Sequence, residues 1–201
     1  MVDVYINNGE GEQRLAGVDK RFRVKTATLT ETESNYHTTL GLKYNVNTGD
    51  VTITGTNKVS VLYLKNNDDR DIYIDALIYN LGTSTGGSGD VLIDVIRNPK
   101  TGDIITNANG PVVGTGEEAN LNYGDSKILN CDIYKGASGE TPISDGAKNV
   151  LTRNPSPTAR IFISPGGGVI MPKGSSIGFD YTPPAGNSTQ IVQFALNVYV
   201  K

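Results

Sequence analysis

The strongest constraint in this chain is a period of two in its apolar residues. In the last segment Val192, Phe194, Leu196, Val198 and Val200 fall on one face, and Gln193, Ala195 and Asn197 on the other. Successive side chains of a strand point to opposite faces, so this spacing predicts a half-buried β-strand; a helix would repeat every three or four residues. The same reading predicts strands over 22–29, 40–46, 51–54, 59–64, 72–79, 91–96, 128–134, 159–163, 176–181 and 191–200, about ten short strands in all. Helical periodicity is nearly absent, and the best helical stretch is 145–151.

Turn residues punctuate the strands. Asn47-Thr48-Gly49-Asp50 stands between two alternating segments at hairpin spacing, and Pro99-Lys100-Thr101-Gly102-Asp103 has the same chemistry. Residues 82–89 are rich in Gly, Ser and Thr and read as a mobile tip, while 136–157 read as a long polar loop. The 24 glycines fit many strands better than long helices. The fold class is therefore all-β: a two-sheet β-sandwich, with a jelly roll as the leading topology because its crossovers need long connections. Residues 1–20 read as an N-terminal strand or arm carrying Val2, Val4, Tyr5 and Ile6, and 21–201 as one sandwich domain. In 72–79, Ile72, Ile74, Ala76 and Ile78 lie on one side and Tyr73, Leu77 and Tyr79 on the other, with Asp75 among them. Two apolar faces imply either a subunit contact or burial under a loop.

Charge and cysteine content exclude several function classes. A net charge of -3 provides no global basic field for a phosphate backbone, so no nucleic-acid partner is expected. Cys131 is the only cysteine, which excludes an internal disulfide framework and a thiolate cluster. It alternates with Leu129 and Ile133 and reads as a small buried hydrophobe. No apolar run has the length of a membrane span, and 1–17 lack a charged-then-apolar signal pattern. The expectation is a soluble protein made in a cytoplasm, with no membrane partner.

A catalytic inventory is thin. His37, the only histidine, reads as a structural residue at a strand start, with no Gly-x-Ser-x-Gly elbow to serve it. Asp68, Asp69, Asp71 and Asp75 cluster between two strands without EF-hand spacing and read as a hairpin turn. A pair of carboxylates from distant strands stays open, although Trp is absent and only the ten tyrosines are available as sugar platforms. Pro165-Gly166-Gly167-Gly168 has no following Gly-Lys-Ser/Thr and reads as a corner or bulge. Lys20-Arg21-Phe22-Arg23-Val24-Lys25 reads as a strand with a charged outer face, either a guarded edge or a patch for an acidic partner. No catalytic, cofactor or metal site is expected, and the chain reads as a binding protein, not an enzyme.

Several segments carry a family resemblance. Val61-Leu62-Tyr63-Leu64-Lys65-Asn66 with Asp71-Ile72-Tyr73-Ile74 resembles a recurring pair of strands in tailed-phage virion proteins. Asn120-Leu121-Asn122-Tyr123-Gly124-Asp125-Ser126, the stretch 164–176, and Gly178-Phe179-Asp180-Tyr181-Thr182-Pro183-Pro184 before a last alternating strand are similar to segments there. The resemblance spans roughly 17–200 and rests on no single diagnostic motif. It implies a tailed-bacteriophage capsid decoration, or cement, protein of the jelly-roll type. Such a protein binds the outer surface of the major capsid protein as a homotrimer at three-fold and quasi-three-fold junctions. It is synthesised in the host bacterial cytoplasm, resides on the virion and needs no cofactor. The candidate partner contacts are Val2, Val4, Tyr5, Ile6, Arg21, Arg23, Lys25, Tyr73 and Tyr79. Two other readings are a receptor- or carbohydrate-binding domain of a head or tail fibre, and a polysaccharide-active enzyme.

Overall fold

The computed structural model describes residues 5–7, 13–15, 33–98, 118–139, 141–143, 147–154, 159–164 and 168–201. The chain forms two compact units, Met1–Thr32 and Glu33–Lys201. In the first, β1 (Tyr5–Asn7) pairs antiparallel with β2 (Gln13–Leu15), with Tyr5 opposite Leu15 and Asn7 opposite Gln13. The second unit begins with a short helix, α1 (Glu33–Thr39), and is otherwise built from strands.

Two antiparallel sheets make up this unit. The smaller has the order β10 (Ala147–Asn154), β7 (Val91–Arg97), β13 (Ser176–Thr182), β5 (Val59–Asn66), β9 (Cys131–Lys135). The larger runs β11 (Ala159–Ile163), β6 (Ile72–Leu81), β14 (Thr189–Val200), β3 (Lys43–Asn47), β8 (Glu118–Asn120). β12 (Val169–Met171) continues β11 along the edge of β6, and β4 (Val51–Thr54) continues β3 along β14. If each continued pair is taken as one interrupted strand, the order is that of a jelly roll, with β8 and β9 added outside β3 and β5. Consecutive strands β5, β6 and β7 alternate between sheets, joined by residues 67–71 and 82–90.

The core lies between the inner faces. The five apolar residues of β14, from Val192 to Val200 at every second position, are all buried, as the alternation predicts. They meet Val59 and Val61 of β5, Val91 and Ile93 of β7, and Phe179 and Tyr181 of β13 in one apolar cluster. Burying such side chains contributes about 1.5–3 kcal/mol each. This core needs no disulfide, and Cys131 is half-buried against its flank.

Several local expectations are corrected by the tertiary structure. Asn47–Asp50 is not a hairpin. β3 and β4 run in the same direction along β14, and the intervening residues form a bulge. Gly49 takes a φ of 58°, and its N–H donates to Asn47 Oδ1 at 3.1 Å. The buried Thr48 hydroxyl then accepts from Phe194 N at 3.0 Å, replacing a ladder carbonyl. The tip 82–89 is tied down: Thr85 and Ser88 bridge to Thr189 and Ala185, and Ser84 Oγ contacts Asn187 Oδ1 at 2.5 Å. Of the expected helical stretch at 145–151, residues 147–151 belong instead to β10, because edge pairing with β7 outweighs a weak local helical pattern. It also shortens the loop expected over 136–157. The carboxylate-rich turn after β5 joins two different sheets and is not a hairpin. The expected strand at 22–29 and the turn at 99–103 lie outside the described residues.

The two apolar faces of β6 have a single cause. Opposite β14 the register shifts so that Ala76 faces Asn197 but Ile74 faces Val198. The extra residue, Asp75, inverts the phase: Ile72 and Ile74 point inward before it, and Leu77, Tyr79 and Leu81 after it.

Candidate functional site

The outward face of the larger sheet is the most distinctive surface of the second unit. Register places Phe162, Ile78, Ala195 and Asn47 in one cross-strand row. The neighbouring rows are Asn80 with Gln193, and Asn197 with Asn45. The amides bind one another: Asn80 Nδ2 donates to Gln193 Oε1 (3.0 Å), Asn45 Nδ2 to Asn197 Oδ1 (2.8 Å) and Asn47 Nδ2 to Asn45 Oδ1 (3.1 Å). Gln193 Nε2 also donates to Asp50 Oδ1 at 2.6 Å. These lateral bonds hold the amides flat. Among them stand exposed apolar groups: Phe162 is 62% accessible, Ile170 48% and Ile191 46%. Arg160 is exposed and joins the Asn80–Gln193 row, so a guanidinium stands beside satisfied amides and protruding apolar residues, a mixture that suits contact with another protein surface.

One end of this face is closed by α1. His37, on the last turn, is buried and stacks on Tyr199 at 4.8 Å, and Tyr199 stacks on Tyr73 at 5.1 Å. Lys43 Nζ, from β3, pairs with Asp75 Oδ2 at 2.8 Å, and Ser34 Oγ donates to the same oxygen at 3.1 Å. The bulge that reverses β6 thus also presents the carboxylate that anchors the helix. His37 sits in a helix, not at a strand start.

Beside α1 lies a second surface feature. Tyr123, in the turn after β8, is 92% accessible, and Tyr36 of α1 is half-exposed. Tyr123 borders an open depression with Asn35, Thr38, Thr39 and Asn122. The other tyrosines of the second unit are buried or half-buried.

The ionisable groups are mostly used internally. Lys58 contacts Asp94 on β7 and lies 3.3 Å from Asp180 Oδ2 on β13. Asp180 is fully buried and accepts the N–H of Ile143 through both oxygens, at 3.1 and 3.2 Å. Burial alone would lower the Lys58 pKa, but the hydrogen bond to Asp94 and the charges of both carboxylates hold it above the usual lysine value. Here two carboxylates share one ammonium, and the buried one binds backbone, so the cluster acts as a clasp and offers no cleft. Asp68 is likewise engaged. Arg70 Nε and Nη2 donate to its two oxygens at 3.0 and 3.1 Å, and this bidentate bond holds its pKa below the usual carboxylate value. Asn66, fully buried, ties the same turn down by donating to Arg70 O and Met171 O. Among the described residues no group of three or more His, Cys, Asp or Glu side chains converges as a metal site.

Of the residues expected to contact a partner, Tyr5, Ile6, Tyr73 and Tyr79 are described. Tyr79 is a core residue, 0% exposed and stacked on Phe194 at 5.9 Å, because the Asp75 bulge turns it inward. Tyr73 lies half-buried in the aromatic stack, with the Lys201 ammonium 5.7 Å from its ring centre. Tyr5 and Ile6 belong to β1, which pairs with β2 of its own chain. Val2, Val4, Arg21, Arg23 and Lys25 lie outside the described residues. Sequence reasoning missed Phe162, Ile191 and Tyr123. Signals for two of them were present: Ile191 is out of phase with the apolar face of its strand, and Tyr123 is a large aromatic in a turn with no strand to bury it.

No family model, curated protein or solved structure matches the chain. No helix among the described residues is long and apolar enough to cross a membrane.

Proposed function

We propose that this chain is a capsid decoration protein that binds the outer surface of a phage shell through the outward face of its larger sheet. The observation that carries the reading is that face: an amide ladder with Phe162, Ile170 and Ile191 exposed and Arg160 beside it. The residue-level resemblance to tailed-phage virion proteins, and the jelly-roll strand order that it implies, support the same reading. The partner is the major capsid protein, and the assembly is a homotrimer on the shell. A three-fold bridge gains from effective concentration, and contacts made only with the assembled lattice stabilise it by mass action. Catalysis has no part in the proposal, and the carboxylates of Asp94 and Asp180 are engaged by Lys58.

The test is reconstitution. Purified chain is mixed with shells lacking it, and occupancy is read by sedimentation and electron microscopy. Phe162→Asp and Ile191→Asp alter exposed side chains, so folding is retained while shell occupancy falls at least roughly tenfold, the scale of interface residues worth over 1 kcal/mol. Full occupancy by both variants, or no attachment of the native chain, rejects the proposal.

One observation favours a second reading, a carbohydrate-binding domain of a virion fibre. Tyr123, bordering a depression with Asn and Thr side chains, offers an aromatic platform with hydrogen-bonding groups at its rim. Glycan-array binding that disappears in Tyr123→Ala supports it, and an array with no binding excludes it.

A further inference from the structure

The core of the sandwich is incompletely closed at one flank. A cavity of about 500 Å³ opens between the sheets, between β7 of the smaller and the β11–β12 edge of the larger. Its inner wall is apolar: Leu77 and Leu196 come from the larger sheet, Val95 and Phe179 from the smaller. Val95 and Ile163 pack against the core cluster yet remain only partly buried, because they face this space. Val169 and Ile170 of β12 border it and are exposed.

The polar groups gather at one end. Alternation along β7 puts Val91, Ile93, Val95 and then Arg97 on the core-facing side. Arg97 stands opposite Ile177 on β13, so a guanidinium occupies an inward-facing strand position at the rim. Among the described residues it makes no ion pair and is the only charged one lining the cavity. Asn98 beside it adopts a φ of 48° and is held there by two bonds to Ser176: its N–H donates to Ser176 O (2.8 Å), and its Oδ1 accepts from Ser176 N (2.9 Å). The rim is therefore fixed in shape.

The geometry points to a binding site for one long-chain amphipathic anion, its alkyl chain between the sheets and its head group at Arg97. Size, lining and polarity agree: small-molecule sites span about 300–1,000 Å³, are mostly apolar and carry a few polar groups that fix orientation. Arg97 is exposed at the rim, where its guanidinium attracts an anionic head group and repels a cationic one. The inference does not depend on shell binding, and its failure leaves that reading untouched.

The test is an equilibrium titration of the full chain with cis-parinaric acid, followed by displacement with dodecanoate, dodecanol and dodecyltrimethylammonium below their micelle concentrations. Saturable one-to-one binding is expected, with dodecanoate ahead of dodecanol by roughly fivefold, the scale of a rim-exposed ion pair. Arg97→Gln removes that fivefold difference and leaves dodecanol unaffected. Val95→Trp fills the cavity and abolishes binding. Ile163→Trp does the same from the half-buried edge and decides the matter if the first variant misfolds. Cosedimentation with phosphatidylglycerol vesicles separates a free chain from a lipid surface. Absence of saturable dodecanoate binding, equal affinity for all three head groups, undiminished binding in a folded tryptophan variant, or binding to vesicles alone overturns the inference.

Discussion

At the residue scale, polar side chains complete backbone ladders that the strands leave open. Thr48 is the clearest example. Its hydroxyl accepts from Phe194 N and donates to Gly49 O at 2.8 Å, while its own N–H donates to Phe194 O. Thr48→Val keeps the shape but leaves a buried N–H without an acceptor, so a loss of about 2 kcal/mol is expected in urea unfolding. An unchanged midpoint means the hydroxyl is dispensable. Asp68 gives a pH-dependent case. Its folded pKa is depressed, so its contribution is present above the unfolded value and lost as pH falls through the lower folded value. Asp68→Asn is expected to destabilise by about 1 kcal/mol at neutral pH, since Arg70 is partly exposed. The gap between the variant and the native chain should close on acidification below pH 3.8. A gap that is constant with pH assigns the effect to shape and not to charge.

At the element scale, β6 and α1 depend on each other. The bulge at Asp75 re-aims Tyr79 into the core and leaves the carboxylate to bind Lys43 and Ser34. A seven-residue helix is not stable alone, and α1 persists because His37 is stacked on Tyr199. His37→Ala should release the helix without loosening the sheet. The amides of Leu40, Gly41 and Leu42, which close its C-terminal turn on Tyr36, Thr38 and His37, should then exchange roughly tenfold faster. Exchange at Leu196 in β14 should stay as it was, and equal acceleration at both sites places His37 in the global fold instead. None of this coupling was legible in 33–39, whose seven residues carry no helical apolar pattern.

At the scale of the whole molecule, the apolar cluster among the described residues runs from Tyr44 to Val200, all in the second unit. A fragment of 33–201 is therefore expected to unfold in one cooperative transition, with a midpoint within a few degrees of the full chain. Loss of cooperativity would show that residues 1–32 complete the core. Gly136 marks a tight point in this packing. A Cβ there meets Ser60 O at 1.7 Å, so the strand end approaches β5 more closely than any side chain permits.

The sequence by itself determined the class of fold. Alternation is local, and a run such as 192–200 specifies a strand and its buried face with no knowledge of its neighbours. Ala159–Ile163 was legible to the residue for the same reason. What lies across each strand is not local. Whether Asn47-Thr48-Gly49-Asp50 reverses the chain or bulges it depends on β14, 146 residues further on in the case of the Thr48–Phe194 contact and invisible to any short window. The inward turn of Tyr79 depends on one extra residue opposite β14, since a single insertion inverts every later side chain. Tertiary structure alone therefore decided which apolar residues became core and which, like Phe162 and Ile191, were left on a surface where a partner can reach them.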